Sequence, residues 1–481
     1  MVGGACGLYD PVMKRSLSLL ALLVFGQVLG LAPAATAQQE APAQPTQPAT
    51  QPAAQPETAT PGPFQPEAEP EQPKRNPKNT VDFAPRWGLW RGEIELPGSK
   101  ELSFNFVINF ARDENSEPIW TVTLRNGSES LPAEMEVNYP QIIMSFPGTD
   151  ARIEANSDRT DTSLSGEYIY TRSSDTGESV EYRLPFTAQC SDSRRFAWID
   201  PAWKPGEPIS NKWVVNFDQR TGPAVAELRT LPDGMNVWGT VMTPTGDDGQ
   251  LAGTFENGRL RLSRFTGGSG LLYDGTLEAD GTLIGTYRSL AHHAEGFTAS
   301  PDGEAALPDL FQLTKWKDKV GLADLTFRNF EGSEVNLADL APDGSPRLVY
   351  VMGTWCHNCA DATNFLSALH EKYHDKGLAI VGLAFETPKA FEEQADNVRT
   401  YVLRKSVPFP ILVAGQRNKD DATQTLGALD KVRAFPTIAF VDAQGKVVAV
   451  HQGFVGPAAP ERHAELRHQF TERIESMFAG K

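Results

Sequence analysis

Four cysteines among 481 residues are too few to staple a chain of this length into a disulfide scaffold. Lys/Arg-rich blocks are missing as well, and 44 basic against 61 acidic residues leave a formal charge of −17, which argues against nucleic acid as a partner. The chain has no phosphate-cradling glycine loop and no Ser-His-Asp arrangement. Past the N-terminus it lacks any apolar run near the roughly 18–20 residues that a spanning helix needs.

What is present divides the chain into two or three folded parts behind a leader. Lys14 and Arg15 precede an apolar run over 17–31, and Ala35-Thr36-Ala37 then supplies the small residues of a cleavage site. Residues 1–37 therefore read as an export signal, with Met13 as an alternative start. A location in the periplasm or cell envelope is expected, with a membrane tether if the segment stays uncleaved. Residues 38–82 are rich in Gln, Pro, Ala and Glu, and Phe64 is the only large apolar residue before 80, so this stretch reads as a semi-extended linker.

Between 86 and 300, alternating apolar runs such as "LSFNFVINF" and "LRLSRF" are broken by "NG", "TGDDG" and "DG", the pattern of many short antiparallel strands. A repeat lies within it. Phe146-Pro147-Gly148 matches Phe265-Thr266-Gly267, and Leu164-x-Gly166-x-Tyr168 matches Leu283-x-Gly285-x-Tyr287, both at an offset of 119 (265 − 146 and 287 − 168). Two related all-β domains, 83–200 and 201–310, are expected, each sandwich-like or barrel-like. From 318 to 481 the period changes. A strand over 347–355 leads into a helix from Cys356 to about Lys376. A strand over 378–385, a helix over 389–405, a strand over 409–414, a hairpin over 437–454 and a last helix follow. That order predicts an α/β domain with a mixed central sheet.

"GTWCHNC" (353–359) holds two of the cysteines in a C-x-x-C spacing. Such a pair can be a structural disulfide, half a zinc site or a redox couple. Sites in α/β sheets form at the carboxyl ends of parallel strands, and both Cys356 and Glu386 follow such ends. Cys356 would cap a helix, where amide N–H groups and the macrodipole favour a thiolate. Cys359, about one turn further in, could then attack a mixed disulfide. His357 either adds positive charge beside Cys356 or is a solvated side chain. Pro436 stands where a strand begins, and its peptide bond can be trans or cis.

The stretches "VYVMGTWCHNC", "AIVGLAFE" and "AFPTIAFVDAQGKVVAVHQGF", in this order, resemble the TlpA/ResA-like thiol-disulfide oxidoreductases of the thioredoxin fold. The resemblance implies that Cys356 attacks, that Cys359 resolves, and that the two form a redox-active disulfide. It implies a cis Pro436 facing them, with Phe435 and Thr437 turned toward substrate. Glu386 would move protons on and off the thiols, while Trp355, His357 and Asn358 tune the site. The connection 412–434 is longer than the family pattern, and the β region resembles N-terminal extensions of exported members only loosely.

Competing signals are weaker. "HEKYH" (370–374) has the H-E-x-x-H zinc spacing but falls at the far end of the helix that Cys356 begins. Zinc on the C-x-x-C would need further ligands that no second Cys/His pair supplies, so no metal is expected. His292-His293 reads as a solvated loop pair and Cys190 as a small residue without a catalytic part. Gly353 stands where peroxide-reducing relatives carry Thr or Ser. The expected function is an exported oxidoreductase that reduces disulfides in envelope proteins, for instance in cytochrome c maturation. It needs no cofactor, only protein substrates and an upstream membrane or periplasmic thiol donor. The alternative is an envelope binding protein whose C-x-x-C is a static disulfide.

Overall fold

A computed structural model of the chain describes residues 85–479 apart from 174–178, 191, 201 and 343. The expected signal segment and linker lie outside the described residues. No helix among the described residues is long and apolar enough to cross a membrane.

The β region folds into closed sheets. Eight antiparallel strands, from Gly88–Leu96 to Ser179–Cys190, pair in chain order, and the last pairs with the first to close a barrel. Alternation builds its interior: in Ser179–Cys190 every second residue from Leu184 to Cys190 is buried, so a one-residue slip would turn the apolar set outward. The second sheet has nine strands, of which Gly246–Asp247 is a two-residue appendage to Asn236–Thr243. The other eight also pair in chain order, and His293–Pro301 closes the ring on Lys212–Phe217. The repeat falls at equal places in both rings. Leu164 and Leu283 lie on the seventh strand of each, and Tyr168 and Tyr287 are buried there. The two "F-x-G" motifs pack together, with the Phe146 and Phe265 rings edge-on 5.5 Å apart and Tyr168 Oη donating to the Gly267 carbonyl at 2.7 Å. His292-His293 is not a solvated pair: His293 opens a strand and reaches Glu295 at 3.1 Å, while burial pushes half-buried His292 down to about 4.

The C-terminal sheet runs, edge to edge, Glu334–Asn336, Thr326–Arg328, Ile411–Gln416, Ala379–Glu386, Arg347–Met352, Thr437–Val441 and Val447–Gln452. Arg347–Met352 is parallel to Ala379–Glu386, antiparallel to Thr437–Val441 and buried at every position, as a central strand must be. Four helices accompany the sheet: α1 (His357–Tyr373), α2 (Phe391–Lys405), α3 (Lys419–Leu426) and α4 (Pro460–Ala479). A 3-10 turn extends α1, and Gly377 at φ 96° stops it in the left-handed conformation that glycine favours. Two features differ from the sequence reading. The hairpin Thr326–Arg328/Glu334–Asn336 adds an edge to the sheet, and the long connection holds α3, capped by Asn418.

Candidate redox site

Each residue of "GTW" has a separate geometric task. The Trp355 indole folds back and donates Nε1–H to the Phe385 carbonyl at 2.8 Å. A Cβ on Gly353 would lie 2.4 Å from that indole nitrogen, so only glycine permits the return. Thr354 holds Glu386: its N–H donates to Oε1 at 2.8 Å, and its hydroxyl lies 2.6 Å from Oε2. Glu386 is thus tied two residues before Cys356, and burial raises its carboxyl above the ordinary range against the pull of the Thr354 bonds.

Cys356 caps α1, and both cysteines are free thiols, so this is the dithiol state. The Cys359 N–H donates to Cys356 Sγ at 3.4 Å. The Cys359 thiol and the amides of residues 358 and 359 favour the Cys356 thiolate, so its pKa falls below that of a free thiol despite burial. Cys359 is fully buried, and desolvation holds its thiol far above the ordinary range. Cys356 is the more exposed of the pair, yet only 9% exposed. The Phe435–Pro436 peptide is cis, and the Phe435 carbonyl accepts from Cys356 Sγ at 3.3 Å.

Three expectations need correction. His357 is not a freely solvated side chain. It is half-buried, its Nε2 donates to the Asp247 carbonyl at 2.7 Å, and desolvation with Arg264 nearby lowers its pKa against the opposing pull of Asp247 and Asp248. Thr437 does not turn its side chain toward substrate: it is 1% exposed and its hydroxyl donates inward to the Ala434 carbonyl. The Phe435 ring is also covered, packed on Trp355 and Phe385, and only its carbonyl addresses Cys356. Trp355 remains open, 42% exposed, with the Arg417 guanidinium 5.4 Å from its ring centre. Asn358 is buried against Gly246. His370 and His374 stack on each other at the opposite end of α1 from the cysteines.

Sequence reasoning missed Thr354 as the partner of Glu386, Asp361 in the second turn of α1, and the whole contribution of "TGDDG". That stretch carried only a turn signal, and nothing in it points 110 residues onward to His357.

Residues 318–450 match the AhpC/TSA family. A thiol-disulfide oxidoreductase ResA from Bacillus cereus is 31% identical over 156 residues, which are 32% of this chain and 78% of that protein. The Bacillus anthracis ResA is 30% identical over the same shares. Among solved structures, a thioredoxin-family thiol:disulfide interchange protein from Chlorobium tepidum is similar, at 20% identity and a TM-score of 0.22, over 30% of this chain and 92% of that one.

Proposed function

Because the chain belongs to the ResA-like thiol-disulfide oxidoreductases, we propose that it is exported and reduces disulfides of envelope proteins through Cys356 and Cys359, apocytochrome c being one such substrate. The observation that carries this reading is the inequality of two adjacent thiols. One caps α1 and accepts the Cys359 N–H, which favours its thiolate, and the other has no exposed surface, which favours its protonated form. A static disulfide, the rival reading, has no use for that difference.

The steps follow from it. Cys356 thiolate attacks one sulfur of the substrate disulfide. That bond breaks, and the departing sulfur takes its electron pair and then a proton. Cys359 loses its proton and attacks Cys356 Sγ, which closes the Cys356–Cys359 disulfide and releases the second substrate thiol. A membrane or periplasmic thiol donor returns two electrons to the pair. Glu386 stores a proton beside this exchange, and the cis Pro436 aims the Phe435 carbonyl at Cys356.

Trapping tests the reading. In a Cys359→Ser chain the second attack is removed, so substrate should stay disulfide-linked to Cys356 and run as an adduct on non-reducing gels. If an envelope extract yields no adduct that depends on Cys356, the reading is wrong. Glu386→Gln tests the proton store. Glutamine can keep both contacts to Thr354, so the fold should survive. Exchange at neutral pH should slow on the order of 10- to 100-fold. Equal rates for both proteins from about pH 5 to pH 9 would remove Glu386 from the mechanism.

A further inference from the structure

The turn 244–247 of the second barrel rests on the loops that frame the redox site. The Pro244 carbonyl accepts from Gln452 Nε2 at 2.9 Å. The backbone of Gly453 runs directly beneath: a Cβ there would lie 3.0 Å from the Pro244 oxygen and 3.0 Å from the Thr245 carbonyl carbon. Gly453 in turn donates its N–H to the carbonyl of the cis Pro436 at 2.8 Å. Gly246, at φ +139°, lies so near Asn358 that an added Cβ would come within 1.9 Å of Nδ2. The Asp247 carboxylate accepts from the Gly456 N–H at 2.5 Å, and its backbone carbonyl accepts from His357 Nε2 at 2.7 Å. Away from the site the seam continues. Val225 and Met242 of the barrel pack with Val455 and Ala459, and Arg462 of α4 lies 3.6 Å from Glu227. Within the turn only Thr245 is exposed.

These contacts decide from where Cys356 can be approached. A thiolate must touch the disulfide sulfur it attacks, so the groups around Sγ select substrates before any bond changes. Trp355 leans toward Ala379–Glu386, where it meets the Phe385 carbonyl, and it is 42% exposed. The turn lies on the other side of the central strand Arg347–Met352, over the residues that follow Val447–Gln452. His357 and Asn358, next after Cys356, are in contact with it. Cys356 itself is only 9% exposed between the two. We propose that the turn 244–247 is one wall of the substrate slot, with Trp355 on the other side, and that Thr245 is a specificity-determining residue at its edge. The slot admits a disulfide on a narrow chain segment and turns away one set in a broad folded face. Selection of this kind works by clash with the wrong partner and needs no added attraction for the right one. The inference rests on the oxidoreductase reading for what enters the slot, whereas the wall can be read without substrate.

The first test is alkylation of the reduced full-length chain by iodoacetamide and by a bulky polyethylene-glycol maleimide, followed as loss of the unmodified Cys356 peptide. The methyl of Gly246→Ala cannot coexist with Asn358 in the docked turn. That variant should therefore speed the bulky reagent on the order of tenfold relative to the small one. Should it fail to fold, Asp247→Ala, which frees the Gly456 anchor, takes its place. A folded variant with the parent's ratio overturns the proposal. The second test enlarges the exposed edge with Thr245→Arg and Thr245→Glu, whose opposite charges separate bulk from electrostatics. Both should slow reduction of insulin about tenfold more than reduction of hydroxyethyl disulfide. Equal effects on the two disulfides, or opposite effects of the two variants, overturn the assignment of Thr245. If the parent reduces neither disulfide, the oxidoreductase reading fails, and the alkylation ratio still decides the wall.

Discussion

Cys356→Ser is expected to abolish disulfide exchange, with a loss of at least about 10³-fold, because a serine hydroxyl is not ionised near neutral pH and cannot play the thiolate's part. Cys359 cannot take over. It has no exposed surface, and burial keeps its thiol protonated. Cys359→Ser should behave differently, making the first attack and then stalling. In the parent, the rate with a small model disulfide should fall as pH drops through the pKa of Cys356. That fall should lie lower than for an unperturbed thiol, since the neighbouring thiol and amides favour its thiolate. The measurement is the pH–rate profile of parent and Cys356→Ser, scored on thiol release. A serine variant retaining more than about one tenth of the parent rate would remove Cys356 as nucleophile.

The second large effect concerns stability. Asp361 is half-buried in the second turn of α1, and desolvation, reinforced by Asp247, pushes its carboxyl up to about 7, against an ordinary value of 3.8. Between those two values the folded chain holds a proton that the unfolded chain has lost, so raising the pH there destabilises the fold. The cost is absent below the unfolded value and complete above about pH 7. Asparagine keeps the shape and removes the ionisation. Asp361→Asn should therefore stabilise the protein at pH 8 on the order of 2–4 kcal/mol, with the gain fading toward pH 4. Urea denaturation of both proteins at about pH 4, 6 and 8 reads this directly. A gain independent of pH, or a loss at pH 8, would show that Asp361 is paired rather than penalised.

Asp361 also marks where sequence reading runs out. A lone aspartate after "CHNCA" is ordinary on a helix face. Its cost arises because Gly456, on the segment leading to α4, packs against its carboxylate and Asp247 approaches from the second barrel. His357 is the same case: nothing beside it in the chain announces that its ring will donate to the Asp247 carbonyl of the second barrel. Other misses were legible in principle. Asn418 accepts from the Asp420 and Asp421 N–H groups, and Gly427 ends the same helix at φ 66°, so α3 carried both of its end signals inside a stretch that looked like an irregular connection.

Local physics settles what sits close in sequence. A buried strand followed by a capped helix places Cys356 and Cys359 one turn apart. The crossover to a second parallel strand brings Glu386 to the same edge, and a shared offset of 119 residues announces two related β units. These depend on periodicity, capping and chain connectivity, which the residues carry within themselves. The tertiary structure alone decided that each β unit closes into a ring, that Thr354 holds Glu386, and that the turn 244–247 lies over His357 and Asn358. Those outcomes depend on which surfaces meet across long separations. Burial and charge at such meetings belong to both partners, and neither stretch of sequence specifies them by itself.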